Sequence, residues 1–383
     1  MNLKRKFAQY WEKIQGSLFP WLEEELPPLT KKQQQLVSIL EVIRIEDFIP
    51  SYLSGCRGRP AKCRRTIARA FIAKAVYNTP TTGILIERLH NDISLRRICG
   101  WETKREIPSE SVFSRAFDEL AESELLTKVH EVVVASAYED EMVGHVITDS
   151  ATIEAREKAA KKAPKKKPII VLPEGKKRRP KGYAREQTRL QKQVTGTLSL
   201  KEMIADLPSV CDVGAKTNSK GHLHWWRGYK LHITASDNQI PLAALVTSAS
   251  VNDSQVAIPL AKITKQRVDN FYDVMDGGYA CDDVVAHSRS LGHVPIIDWP
   301  AKGNPENKEI KEAESLACKT LNLYTHTDKR YEIRTSVERV FSRLKDEFGA
   351  RFVRVRGAKK VLTHLMFGVL ALTADQLLKI PLS

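Results

Sequence analysis

The chain has 383 residues, 42% of them hydrophobic and 28% charged, and carries a net charge of +15. That length accommodates two domains with separate cores, and the charge points to polyanionic partners. The longest apolar run, Val361 to Ala374, is too short to cross a bilayer and is interrupted by Thr363 and His364, so no membrane partner is expected. The basic start, Met1 to Lys6, is followed by no continuous apolar stretch, so no signal peptide is expected. Six cysteines without C-x-x-C spacing argue against a zinc knuckle or a disulfide scaffold and suit a reducing, cytoplasmic setting.

The charge is concentrated. From Arg156 to Lys192 there are fifteen Lys and Arg against three Glu, a net +12, which leaves 15 − 12 = +3 for the rest. Such a run reads as a solvated linker, a nonspecific DNA clamp or, in a eukaryotic host, a nuclear address. The clamp is favoured, because the run interrupts the second part of the chain soon after Asp149, a carboxylate taken up below. Lys165, Lys166, Lys167, Lys176, Lys177, Arg178 and Arg179 are its candidate DNA contacts.

Residues 1–140 read as a helical N-terminal domain, which fits a small domain that binds DNA and also fits a plain helical scaffold. Lys31 to Phe48 keeps Leu36, Leu40, Val42, Ile43 and Ile45 roughly on one face, and helices are expected over Thr66 to Tyr77 and Thr82 to Leu89. Ser109 is placed to cap a helix carrying Val112, Phe113, Ala116, Phe117 and Leu120. Residues 141–383 change in character, with a basic insertion at about 156–193. Strands are expected over His145 to Ile153, Leu223 to Thr234, Pro241 to Ser248, Phe271 to Asp276 and Val294 to Asp298. In the second, Leu223, Trp225, Tyr229, Leu231 and Ile233 share a face. Helices are expected from Asn252-Asp253-Ser254 to about Gln266, over Asp282 to Leu291, and from about Arg334 onward. A meander followed by alternating helices and strands fits an α/β, ribonuclease H-like mixed-sheet domain without singling it out.

Two carboxylates interrupt strands. Asp149 follows Val146-Ile147-Thr148, and Asp276 ends Tyr272-Asp273-Val274-Met275 just before Gly277-Gly278. A strand Asp is unfavourable for the strand and costly to bury unpaired, and the glycines leave room for a metal or phosphate. Each also reads as an ordinary cap or turn residue. On an ideal helix Tyr331, Arg334 and Lys345 fall within about 40° of Glu338, beside an apolar seam of Val337, Val340, Phe341, Leu344 and Phe348.

The spacing Tyr331, two residues, Arg334, three residues, Glu338, six residues, Lys345 resembles the signature of Asp-Asp-Glu transposases of bacterial insertion sequences, the family-four and family-five type. Thr148-Asp149-Ser150 and Asp276-Gly277-Gly278-Tyr279 resemble the segments around that family's two aspartates. The resemblance is strong over about residues 140–375 and loose before that. It implies a ribonuclease H-like catalytic domain whose first and fourth strands lie side by side. Asp149, Asp276 and Glu338 would be catalytic and would hold two Mg²⁺ or Mn²⁺ ions. Tyr331, Arg334 and Lys345 would lie along DNA. The implied reaction is cleavage at terminal inverted repeats and strand transfer into target double-stranded DNA by a homodimer in the synaptic complex, in the bacterial cytoplasm at the nucleoid. A nuclease or domesticated recombinase with the same site, and an inactive DNA-binding relative, are the alternatives.

Other candidates carry less. Lys230 and His232 share a strand face from which they can reach phosphate. His222, His224 and His232 read as exposed or hydrogen-bonded strand residues, not metal ligands. Trp226 is a weak candidate for stacking on a base. Asp253, Asp282 and Asp283 read as helix caps, and Asp273 is expected to turn away from Asp276.

Overall fold

The computed structural model describes residues 28–50, 62–139, 141–160, 187–217, 221–299, 305–321 and 326–380. Six helices come first: α1 (Lys31–Ile43), α2 (Arg64–Val76), α3 (Thr82–Asn91), α4 (Ile93–Cys99), α5 (Glu110–Glu122) and α6 (Leu125–Ala137). Thr30 opens α1 with a reciprocal cap to Gln33, and Leu36, Ile39, Leu40 and Ile43 bury its apolar face. The helix ends at Arg44, whose φ of 45° is left-handed, so the expected helix through Phe48 divides into α1 and a short 3-10 turn, Ile45–Phe48. Ser109 occupies the cap position of α5 without capping it through its side chain, and its hydroxyl pairs with that of Ser111.

The second part is built on strands β1 (Val143–Glu154), β2 (Asp212–Thr217), β3 (Leu223–Ser236), β4 (Pro241–Ser248), β5 (Asn270–Met275) and β6 (Val294–Ile297). β1 is central. It pairs antiparallel with β3, with Asp149 opposite Ile233, and parallel with β5, with Thr148 opposite Met275. β5 continues in parallel to β6. The far edge of β3 is shared, its first half with β2 and its second half with β4, both antiparallel. Gly228 makes the β1–β3 pairing possible at its end. Its φ is 152°, and a Cβ there would sit 2.1 Å from the Ile153 carbonyl oxygen.

Two short helices, α7 (Arg189–Val194) and α8 (Leu200–Asp206), precede β2, and both they and β2 escape the sequence reading. The C-terminal end of the expected basic insertion is therefore helical. Leu190 and Met203 from these helices pack with Ile258, Met275 and Tyr279. Helices α9 (Ser254–Lys265) and α10 (Asp282–Ser290) flank β5. After α11 (Pro305–Leu321) and α12 (His326–Tyr331) come α13 (Thr335–Asp346) and α14 (Ala358–Lys379).

Contrary to the sequence expectation, α14 is long and apolar enough to span a membrane, but most of it is buried inside the fold. Leu365, Val369, Leu370 and Leu372 are fully enclosed, and they belong to one continuous core that joins the N-terminal helices to the sheet. A helix apolar all round is what such a position requires. Within that core His130 accepts or donates at both ring nitrogens, bonding Arg267, Thr373 and the Pro241 carbonyl.

Candidate active site

The parallel pairing of β1 and β5 brings Asp149 and Asp276 to one end of the sheet. Asp149 is 6% exposed, and its Oδ1 accepts a hydrogen bond from the Ser150 backbone N–H at 2.7 Å. Burial, reinforced by the charge of Asp276, pushes its carboxyl from 3.8 up to about 6. Asp276 lies just past the end of β5, where its Oδ1 accepts from Gly278 N–H at 2.9 Å. Burial and then the charge of Asp253 raise it as well. The charge of Asp276 thus bears on Asp149, and that of Asp253 on Asp276, in a partly desolvated corner.

Glu338 approaches from α13. Its Oε1 accepts from Arg334 Nη2 at 2.6 Å, and Arg334 Nη1 lies 3.6 Å from Asp149 Oδ2. Glu338 is exposed and bound to this guanidinium, so the third carboxylate meets the aspartates through Arg334. Among the described residues, no three carboxylate, imidazole or thiol side chains are gathered closely enough to hold a metal ion directly.

The stripe is also less regular than one ideal helix. Tyr331 ends α12, Glu332–Arg334 is a 3-10 turn, and α13 begins at Thr335. Arg334 still sits above the Tyr331 ring, 5.9 Å from its centre, and burial pushes the Tyr331 hydroxyl up to about 12. The apolar seam is as expected: Val337, Val340, Phe341, Leu344 and Phe348 are buried and fix how α13 faces β1. Lys345 is half-buried beyond it, and burial lowers its pKa, with Arg351 and Lys216 acting in the same direction.

Four further residues, Lys216, Asp253, Lys230 and Gly278, shape the surroundings of the carboxylates. Lys216, exposed on β2, favours the ionised forms of both Asp149 and Asp276. Asp253 occupies the cap position of α9 but does not cap it, and Asn252 Oδ1 accepts the Ser254 N–H instead. The Asp253 carboxylate turns to Lys230, whose Nζ donates to Asp253 Oδ1 and to the Val251 carbonyl, both at 2.9 Å. Gly278 lets the acids approach: a Cβ there would lie 3.0 Å from Asp276 Oδ1 and 3.3 Å from Asp253 Oδ2. Lys230 is accordingly an internal counter-ion of this corner. Its signals in the sequence are the face it shares with His232 and the stretch Gly228-Tyr229-Lys230-Leu231-His232, which resembles a strand of the transposase family.

The discounted candidates resolve by burial. His232 is fully buried, bonded to Thr247 at 2.9 Å, and lowered by burial to about 4, while His222 and His224 are exposed. Trp226 is buried and donates to the Tyr229 carbonyl, so it offers no face to a base, whereas Trp225 is 62% exposed. Leu223 and Trp225 share the expected face with Tyr229 but project beyond the core. Asp273 turns away from Asp276 to Ser288, His293 and Asn270. Asp282 and Asp283 lie in the first turn of α10, whose cap position is Cys281. Lys165, Lys166, Lys167, Lys176, Lys177, Arg178 and Arg179 lie outside the described residues.

Residues 144–374, more than half of the chain, match the family described as transposase DDE domain. The chain belongs to that family. Residues 22–119 match a second family, described as a transposase domain, DUF772, so both parts of this DDE transposase fall in transposase families. No curated protein and no solved structure matches the chain. As a DDE transposase the protein acts in DNA transposition and binds DNA.

Proposed function

We propose that this transposase cuts the ends of its element and joins them to target DNA by metal-dependent phosphoryl transfer, with Asp149, Asp276 and Glu338 as the catalytic carboxylates. The observation that carries the reading is the pairing of β1 with β5, which sets Asp149 and Asp276 against one another with Arg334 linking Asp149 to Glu338. The strand order supports a ribonuclease H-like fold. An antiparallel run β4-β3-β1 is extended in parallel by β5 and β6. β2 is an addition on the outer edge of β3.

The donor set fits a divalent cation. Asp149 and Asp276 supply hard oxygen ligands at one end of the sheet, and burial raises both carboxyls above their usual range, which a bound cation would offset. Asp149 and Asp276 would hold Mg²⁺ or Mn²⁺, and Glu338 would join them on release from Arg334. A pair of such ions supplies activation of a water or a DNA 3′-hydroxyl and stabilises the leaving oxygen. Arg334, once released, is placed to take a phosphate in bidentate fashion, with Lys345 further along the same face. Work on terminal inverted repeats by a homodimer belongs to the same reading, because two ends must be brought together.

Cleavage of end-containing duplex in Mg²⁺ tests the assignment. Asp149→Asn and Asp276→Asn should each abolish it while DNA binding stays close to wild type. Cleavage by either variant at a near wild-type rate removes that residue from the site.

A further inference from the structure

Away from the carboxylates, a cavity of about 470 Å³ lies where α2, α5, the segment 348–356 and the start of α14 meet. Five cations reach it: Lys74, Arg156, Arg354, Arg356 and Lys360. Two acids, Glu110 and Asp118, also line it, which leaves 5 − 2 = +3. Lys360 is neutralised by Asp118 at 2.7 Å. The guanidinium groups of Arg156, Arg354 and Arg356 have no ion-pair partner among the described residues.

Lys74 is the informative member. It stands half-buried on α2, no carboxylate among the described residues pairs with it, and burial lowers its ammonium to about 8. A charge placed there without a partner costs the fold free energy, which a methionine of similar length would not. On the same wall the Thr79 hydroxyl is buried without a hydrogen-bond partner. His364, lowered by burial to about 4, is neutral and donates from Nε2 to the Gly349 carbonyl, so it adds no charge. Aromatic rings line one side: Phe71 packs edge-on against Phe113 and Phe117. These are the features of a pocket shaped for an anion.

Its position says which anion. The wall residues Phe348 and Gly349 directly follow α13, and Lys345 lies one turn before them. From Glu338 to the end of α13 at Asp346 the helix rises about 12 Å. That is a span of three to four nucleotides at about 3.4 Å each. We propose that this cavity seats a phosphate of the DNA backbone, held by Lys74, Arg354 and Arg356, on the strand that leads to Asp149 and Glu338. The proposal rests on the DNA-processing reading above.

The test measures DNA binding by the full chain in EDTA, where no cleavage intervenes. Lys74→Met, and separately the double change Arg354→Ala with Arg356→Ala, should each weaken duplex binding about tenfold. Each should also flatten the slope of log K against log salt, by roughly 0.9 for every phosphate that is no longer neutralised. Lys74→Met should melt no lower than wild type, as a purely structural lysine would not. Should it fail to fold, the arginine pair at the mouth of the cavity decides. Wild-type affinity and slope in the variants that fold overturn the proposal. So does a cavity in which inorganic phosphate at constant ionic strength raises the wild-type melting temperature but not that of Lys74→Met, while DNA binding is unaffected. That would make it a site for a free phosphorylated molecule. The catalytic assignment is read by Mg²⁺-dependent cleavage and this one by the salt slope of binding in EDTA, so the two fail independently.

Discussion

Arg334 stands between Asp149 and Glu338, 3.6 Å from the first carboxylate and hydrogen-bonded to the second at 2.6 Å. One guanidinium therefore occupies the position of charge balance that divalent ions would take. This makes Arg334 a competitor for the site as well as a candidate phosphate ligand. Arg334→Gln should bind Mn²⁺ at least as tightly as wild type, because a cation has been removed from beside Asp149. Strand joining should fall, and fall further as salt rises. Calorimetry with Mn²⁺ and a joining assay over a salt series measure the two effects. Mn²⁺ binding that weakens in the variant would show that Arg334 supports the metal site and does not compete for it.

Asp149 makes a pH-dependent contribution to stability. Its carboxyl is raised in the fold, so its favourable contribution is complete below the unfolded value near 3.8 and is lost as pH rises through about 6. At pH 8 the metal-free protein holds this group ionised at a cost of about 3 kcal/mol. Asp149→Asn should therefore melt higher than wild type at pH 8, with the difference vanishing near pH 4. Mg²⁺ should stabilise wild type at pH 8 and leave the variant nearly unchanged. An equal difference at both pH values would mean that Asp149 is not the uncompensated charge described here.

Glu338 is exposed, and Arg334 keeps its contact with Asp149 without it, so its removal should barely affect the fold. Glu338→Gln is expected to change stability by about 0.5 kcal/mol or less, as surface substitutions do, yet to eliminate cleavage and joining at every salt concentration. Thermal melts beside both assays check this. Retained chemistry would reduce the Arg334–Glu338 pair to an ordinary helix-surface ion pair.

How much of the fold and site is legible in the sequence depends on whether a signal is local. The strand aspartates and the Tyr331-to-Lys345 spacing are visible because each disrupts or decorates a regular pattern. The long apolar α14 does not stand out as a core helix, since Thr363 and His364 break the run although both are accommodated within the fold. β2 escapes because Asp212–Thr217 is short and its outer residues are exposed, which removes the alternation that marks a strand. Asp253 reads as a cap because Asn-Asp-Ser is a cap sequence. Its actual partner is Lys230, 23 residues earlier on β3, and no local pattern encodes that pairing.

The Lys230–Asp253 pair yields the last prediction, because it separates a DNA contact from an internal counter-ion. Both side chains are 14% exposed, and Lys230 is further tied to the Val251 carbonyl. Breaking a largely buried pair by removing one partner leaves an uncompensated charge and costs about 3 kcal/mol. Here the charge left behind is Asp253, beside Asp276, so Lys230→Met should lose stability and chemistry together. Adding Asp253→Asn should restore much of the stability, because the orphaned charge is then gone. A double-mutant cycle by thermal or urea unfolding measures that coupling, and duplex binding measured alongside it gives the contrast. A Lys230→Met protein that keeps wild-type stability but binds DNA with a flatter salt slope would place Lys230 on the backbone of the substrate instead.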